Sequence, residues 1–201
     1  MTTVSDTTAR RYWNRHVRKD GTWRIDPSTG QEMRPPGEDL AAMRSGLGRP
    51  AVAVPALWPF YTCEVDDRAA QRGEVSQEQD AEHAALALYG LHQQAHKRPM
   101  HAPGTSVGRA LRTLRHHERF SQDAVDRRVQ AAVNSTSVST LLYRLRGLVS
   151  QLHTIKQPLD YDLLMADILD WHRPDTRQRA RRRWGLNYYA WQRPATAQPG
   201  T

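Results

Sequence analysis

Arginine is the residue of this chain with the most chemistry to offer. Arg109, Arg112 and Arg115 recur at every third position between Val107 and His117. On a helix that spacing drifts slowly round the cylinder, so the three guanidinium groups form one sloping stripe. Arg128, Arg144 and Arg146 lie on the next two periodic segments, and Arg44 and Arg49 flank a short one in the front half. A planar, permanently charged fork suits phosphate oxygens and stacks on bases. These positions are therefore the candidate nucleic-acid contacts. The plainer reading is a set of solvated helix faces with local partners such as Asp123 and Asp126, because exposed pairs contribute little. Arg181, Arg182 and Arg183 form the densest run, but consecutive residues fan round a helix, so only one or two can face one strand.

Other chemistries fail on spacing. His92 and His96 stand four apart with His101 beyond, but Gln93 occupies the position where a zinc protease needs Glu, so no metal is expected. Asp160, Asp162, Asp167 and Asp170 suggest a two-metal cluster. The first two, however, sit where a helix start favours acids, and the others fall on what reads as an exposed edge. There is no glycine-rich loop ending in Gly-Lys-Ser/Thr and no nucleophile elbow. Neither catalysis nor a cofactor is expected. Cys63 is the single cysteine, which excludes an internal disulfide and predicts a small buried side chain. Trp171, Trp184, Tyr188, Tyr189 and Trp191 could stack on bases, but their helical spacing favours core packing.

The elements that must position these residues are helices. Thr8 to Asp20 reads as a basic amphipathic helix. Gly21 to Gly37, with Pro27, Gly30, Pro35 and Pro36, reads as a loop. Glu38 and Asp39 open a short helix, and Ala51 to Tyr61 suits a short helix or two turns. Ser76 followed by Gln79 is a capping-box pattern that starts a helix ending near His96. After a Pro/Gly loop, helices follow over Val107 to His117, from Ser121, from Ser137 through LLYRLRGLVSQL, from Asp160 with Tyr161, Leu164, Ile168 and Trp171 as the buried stripe, and from Pro174. No segment alternates with period two. The expectation is an all-α, two-lobed bundle of about eight or nine helices without a sheet: an N-terminal lobe over 1–96, a basic lobe over 97–193, and a disordered tail over 194–201.

Charge separates the two halves. The chain has 201 residues and a net charge of +8. Residues 61–96 carry two basic and seven acidic groups, whereas 97–201 carry eighteen basic and eight acidic ones, all the basic ones arginine except Lys97 and Lys156. A polyanion is the natural partner of that half. No apolar run approaches the roughly 20 residues of a membrane span, and no secretory signal is visible, so a cytoplasmic protein without membrane contact is expected.

An ordered series of short runs resembles the CasB family, the small subunit of the type I-E CRISPR surveillance complex, Cascade. The runs are RRYW (Arg10 to Trp13), DLAAMRSGLGR (Asp39 to Arg49), PALWPFY ahead of a helix ending in LHQQ (Leu91 to Gln94), SVGRALRTL (Ser106 to Leu114), LLYRLRGLV (Leu141 to Val149), PLDYDLLMADILDW (Pro158 to Trp171) and RRRWGLNYY (Arg181 to Tyr189). Together they span Arg10 to Trp191. The resemblance implies a non-catalytic helical subunit present as a pair, so that a second copy of the chain is a partner. It also implies contacts with the other Cascade subunits, the guide RNA and the target DNA, with the displaced strand held by its backbone. Two rival readings are a stand-alone helix-turn-helix regulator with an arginine-rich helix in a major groove, and a pure scaffold. Against the regulator, Val107 to His117 offers Arg, Thr and His but no Asn or Gln to read bases.

Overall fold

The computed structural model describes residues 10–189. Its helices are α1 (Tyr12–His16), α2 (Gly37–Arg44), α3 (Asp67–Gln71), α4 (Gln77–Gln93), α5 (Val107–Arg115), α6 (Gln122–Val133), α7 (Val138–Thr154), α8 (Tyr161–Trp171) and α9 (Pro174–Tyr188), with a 3-10 helix over Pro55–Phe60. Among the described residues β-structure is limited to isolated bridges, so the chain is the all-α bundle its periodicity predicts. No described helix is long and apolar enough to cross a membrane. Trp191 and the tail lie outside the described residues.

Side-chain caps set five of the nine described α-helix starts. Ser76 Oγ accepts the Gln79 amide while the Gln79 side chain accepts the Ser76 amide, the reciprocal box that starts α4. The Asp160 carboxylate accepts the amides of Asp162 and Leu163 to open α8, and its other oxygen takes the Gly104 amide at 2.7 Å, pinning the preceding loop. Ser106 and Ser137 cap α5 and α7 in the same way. Ser121 does not cap α6 through its side chain.

One segment differs from expectation and two gain detail. The first helix stops at His16, because Asp20 accepts both the amide and the hydroxyl of Thr22 and Gly21 adopts φ +79°, which turns the chain back so that Val17 bridges Trp23. The 21–37 loop is anchored near its start: Trp23 is buried and donates its indole N–H to the Lys97 carbonyl at 2.7 Å. In the acidic stretch, Asp66 caps the short helix α3.

The core centres on α4. Every residue from Ala81 to Gly90 is buried, because α2, α7 and α8 all pack against this helix. Gly90 permits the approach of α2: a Cβ there would lie 2.7 Å from Met43 Cβ and 2.8 Å from the Leu40 carbonyl. Trp13, Tyr89 and Tyr161 meet beside it, with ring centroids 5.6 Å apart for Trp13 and Tyr161 and 5.1 Å for Tyr89 and Tyr161. A second close approach joins α5 to α9, where a Cβ on Gly108 would meet the Trp184 carbonyl at 2.6 Å.

Two side-chain expectations are corrected. Asp167 does not lie on an exposed edge. It is 5% exposed, because α8 is covered by α4 on one side and by α9 on another. Cys63 is half-buried against a carboxylate rather than sunk among apolar groups, and burial followed by its hydrogen bond to Glu82 pushes the thiol up to about 12. Burial alone would raise the pKa of Glu82, but hydrogen bonds from Cys63 and Thr62 outweigh it and hold this carboxyl below its usual range. Arg11 completes the cluster at 3.0 Å.

Candidate nucleic-acid interface

The arginines divide according to whether a neighbouring helix offers an acceptor. Arg115, in the last turn of α5, makes a bidentate pair with Asp126 of α6 at 2.8 and 3.1 Å and lies 5.9 Å from the Tyr189 ring centroid. Arg144 of α7 donates to the Ala131 carbonyl and to Ser135 Oγ, closing the turn between α6 and α7. Arg44 is half-exposed and donates to Gln94 Oε1 at 2.6 Å, tying α2 to the end of α4. In the dense run, Arg183 pairs with Asp167 and Asp170, Arg181 donates to the Ser135 carbonyl over the face of Trp171, and Arg182 is exposed.

Arg49, Arg109, Arg128 and Arg146 stand apart from this group. All four are exposed. Among the described residues their guanidinium groups have neither an ion pair nor a protein acceptor, while Arg112 on the same stripe is half-buried without such a partner. Two of the four, from opposite halves of the sequence, come together. Arg49, in the turn after α2, and Arg146 of α7 line one groove of about 440 Å³ over α4. Exposed guanidinium groups with no internal partner are free to neutralise phosphates.

A second basic cluster was legible only in part. Arg10, Arg15, Arg18 and Arg24 surround an open depression of about 580 Å³ with Ile25 and Met33. Three of these are visible in sequence as the basic run around α1. Arg24 joins them because the chain reverses at Gly21, and its Nε bonds the Asn14 carbonyl at 3.1 Å.

The histidines do not converge. His92 is buried, bonds the Tyr161 hydroxyl, and is pushed down to about 3 chiefly by desolvation, whereas His96 turns to the His153 carbonyl. His101 comes within 4.8 Å of Asp160 and Asp162, but the donor atoms there are already engaged. His101 Nδ1 accepts the Tyr161 amide, which leaves the proton on Nε2, and Asp162 accepts the indole N–H of Trp13 and the side-chain amide of Asn14. A neutral imidazole in that tautomer has no free lone pair for a cation.

Most of the aromatics expected in the core are there: Trp171, Trp184 and Tyr188 are buried. Tyr189 is half-exposed. The aromatic that sequence reading passed over is Tyr143 of α7, which is 82% exposed.

A small, basic, all-helical chain that presents exposed arginines without an internal partner among its described residues has the surface of a protein that meets a polyanion. Residues 39–189 match the family model of the CRISPR-associated protein Cse2, and the chain belongs to that family. The match begins after the N-terminal RRYW run. The fold is similar to that of CasB from Thermobifida fusca, at 28% identity over 76% of this chain and 84% of that one, with a TM-score of 0.60. It is also similar to a Cse2-family protein from Thermus thermophilus, at 26% identity over 77% and 86%, with a TM-score of 0.57. A chain of a CRISPR RNA-guided surveillance complex shares the fold at 20% identity over 78% and 83%, with a TM-score of 0.55. Comparison with curated protein sequences gives no match.

Proposed function

We propose that this chain is a non-catalytic small subunit of the type I-E surveillance complex. In this role it supports assembly and stabilises the opened target by sequence-independent contacts to DNA strand backbones during antiviral defence. The observation that carries the reading is the set of four exposed arginines, Arg49, Arg109, Arg128 and Arg146, that have no partner among the described residues, on a fold shared with a chain of an RNA-guided surveillance complex. Exchanging a DNA duplex for a guide–target duplex is nearly balanced in energy, so modest backbone contacts can tip it. The guide reads the sequence, and the subunit only has to hold. We assign the contacts to lobes 1–96 and 97–193, with Arg49 on the first and the others on the second. The partners are the other Cascade subunits, the guide RNA, the target DNA and a second copy of the chain, in the cytoplasm.

The test is recovery of the tagged chain from its host, with native mass and bound RNA measured, followed by target opening with Arg109, Arg128 and Arg146 reversed to Glu. Recovery with larger subunits and a repeat-derived RNA, with weakened opening in the variant, supports the reading. Unchanged opening would leave a scaffold, and a sharp footprint on one duplex sequence would establish a regulator.

A further inference from the structure

The groove that joins Arg49 to Arg146 contains more than charge. Tyr143 lies on its lining with its ring 82% exposed, and Leu142 and Val138 of the same helix contribute an apolar wall. Tyr143 and Arg146 are three residues apart on α7 and therefore share a face. Arg49 reaches the groove from the turn after α2. Asp80 is the only carboxylate among the described lining residues, and its Oδ2 lies 3.3 Å from His172 Nε2. A large aromatic ring this exposed serves neither the core nor, among the described residues, any hydrogen bond through its hydroxyl. A groove of about 440 Å³ falls within the range of pockets that take small planar ligands, about 300–1,000 Å³.

We propose that this groove is a nucleotide site: one unstacked base of a single strand stacks on Tyr143 while its flanking phosphates are held by Arg49 and Arg146. The site deepens the backbone-holding function and rests on that reading. Backbone contact needs only the arginines. A base site predicts, in addition, that binding contains a component that salt does not screen and that double-stranded DNA, with its bases stacked inside, does not receive. Single-strand binders combine a cationic track with aromatic platforms in this way, and the platform is indifferent to sequence because every base has a π-face.

The test uses the full chain and a short single-stranded oligonucleotide carrying 5-iodouracil, with photocrosslink mapping and affinity measured as a function of salt. The expected result is a crosslink at Tyr143. Tyr143→Ala should lose the crosslink and weaken single-strand binding roughly 5- to 100-fold at an unchanged salt slope. Tyr143→Phe should retain binding, and Arg49→Ala with Arg146→Ala should lower the slope by about 0.7 per lost phosphate. Unaltered helical circular dichroism in each variant checks the fold. If the parent chain binds the oligonucleotide but Tyr143→Ala binds equally well, the base site is wrong and the backbone function stands. If the parent does not bind single strands at all, both fall. If Tyr143→Ala binds DNA normally but no longer co-purifies with larger subunits, the groove docks a protein and the proposal is overturned.

Discussion

Two carboxylates, Asp126 on α6 and Asp167 on α8, hold the same kinds of partner with opposite electrostatic results. Each accepts from an arginine and from the polar tip of a buried aromatic on α9. Asp126 takes Arg115 and the Tyr188 hydroxyl, and Asp167 takes Arg183 and the Trp184 indole N–H. The arginine's hydrogen bond is the largest influence on Asp126 and holds its pKa below the usual aspartate range. At Asp167 burial is the largest influence and raises the pKa despite the same type of ligand. The side chain of Asp126 is about a fifth exposed, whereas that of Asp167 is 6% exposed, beneath an arginine that is itself half in water. A guanidinium therefore stabilises a carboxylate only when its benefit exceeds the desolvation both must undergo.

The contrast is tested most strongly by removal. Asp167→Ala strands the Trp184 N–H in the core and should lower unfolding free energy by about 2–3 kcal/mol, discounting the exposed Arg183. Asp126→Ala, with a better-solvated arginine, should cost about 1 kcal/mol. Urea melts of both variants check the order, and equal costs would break the comparison. The pH dependence should also have opposite signs. The stability that Asp126 supplies is present above the ordinary aspartate pKa and is lost as pH falls through its lowered folded value, so the cost of Asp126→Asn shrinks with acid. Asp167 binds its proton more tightly in the folded state, so the native chain gains stability as pH falls from the raised value toward the ordinary one, and the cost of Asp167→Asn grows over that window.

A smaller perturbation acts on α9, the helix that supplies the aromatic partner of both carboxylates. Gly108→Ala places a Cβ 2.6 Å from the Trp184 carbonyl, which must push α9 from α5. We expect a loss of about 1–2 kcal/mol together with a weakened bond from the Tyr188 hydroxyl to Asp126. Trp184 also donates to Asp167, so the pH signature of that cluster should weaken as well, whereas the Arg115–Asp126 pair, which joins α5 to α6, should keep its own. Gly147 faces open space on α7, and Gly147→Ala serves as the control that should stabilise by up to about 1 kcal/mol through helix propensity.

The same contrast explains what was legible in sequence. Helix starts were, because a cap is a local event: Ser76 with Gln79, and Asp160 ahead of α8, are written within three residues. Buried stripes were too, as Tyr161, Leu164, Ile168 and Trp171 demonstrate. The burial of Asp167 was not, because it depends on α4 and α9 covering α8 from two sides, a fact about packing between distant segments. The stripe of Arg109, Arg112 and Arg115 had the right periodicity, but Asp126, eleven positions on, engages its last member. Arg24 carried no local signal, and that of Tyr143 is faint. One joins its cluster through a chain reversal, and the other is an aromatic in an apolar run whose outward rotation only the helix phase reveals.

The finest prediction concerns arginines that the sequence presents as equivalent. Arg115 and Arg128 lie on adjacent helices of the basic half, and one is spent on the fold while the other is not. Arg128→Ala should change stability by less than about 0.5 kcal/mol yet weaken single-strand binding and lower its salt slope by about 0.7. Arg115→Ala should do the reverse: it leaves Asp126 with only the Tyr188 hydroxyl, lowers stability measurably, and leaves the salt slope nearly intact. Paired thermal melts and salt titrations decide the matter. If both variants lower the slope alike, Arg115 releases Asp126 to reach a phosphate, and the internal pair is a resting position exchanged on binding. If neither does, the holding surface lies elsewhere, and the depression formed by Arg10, Arg15, Arg18 and Arg24 is the next set to neutralise.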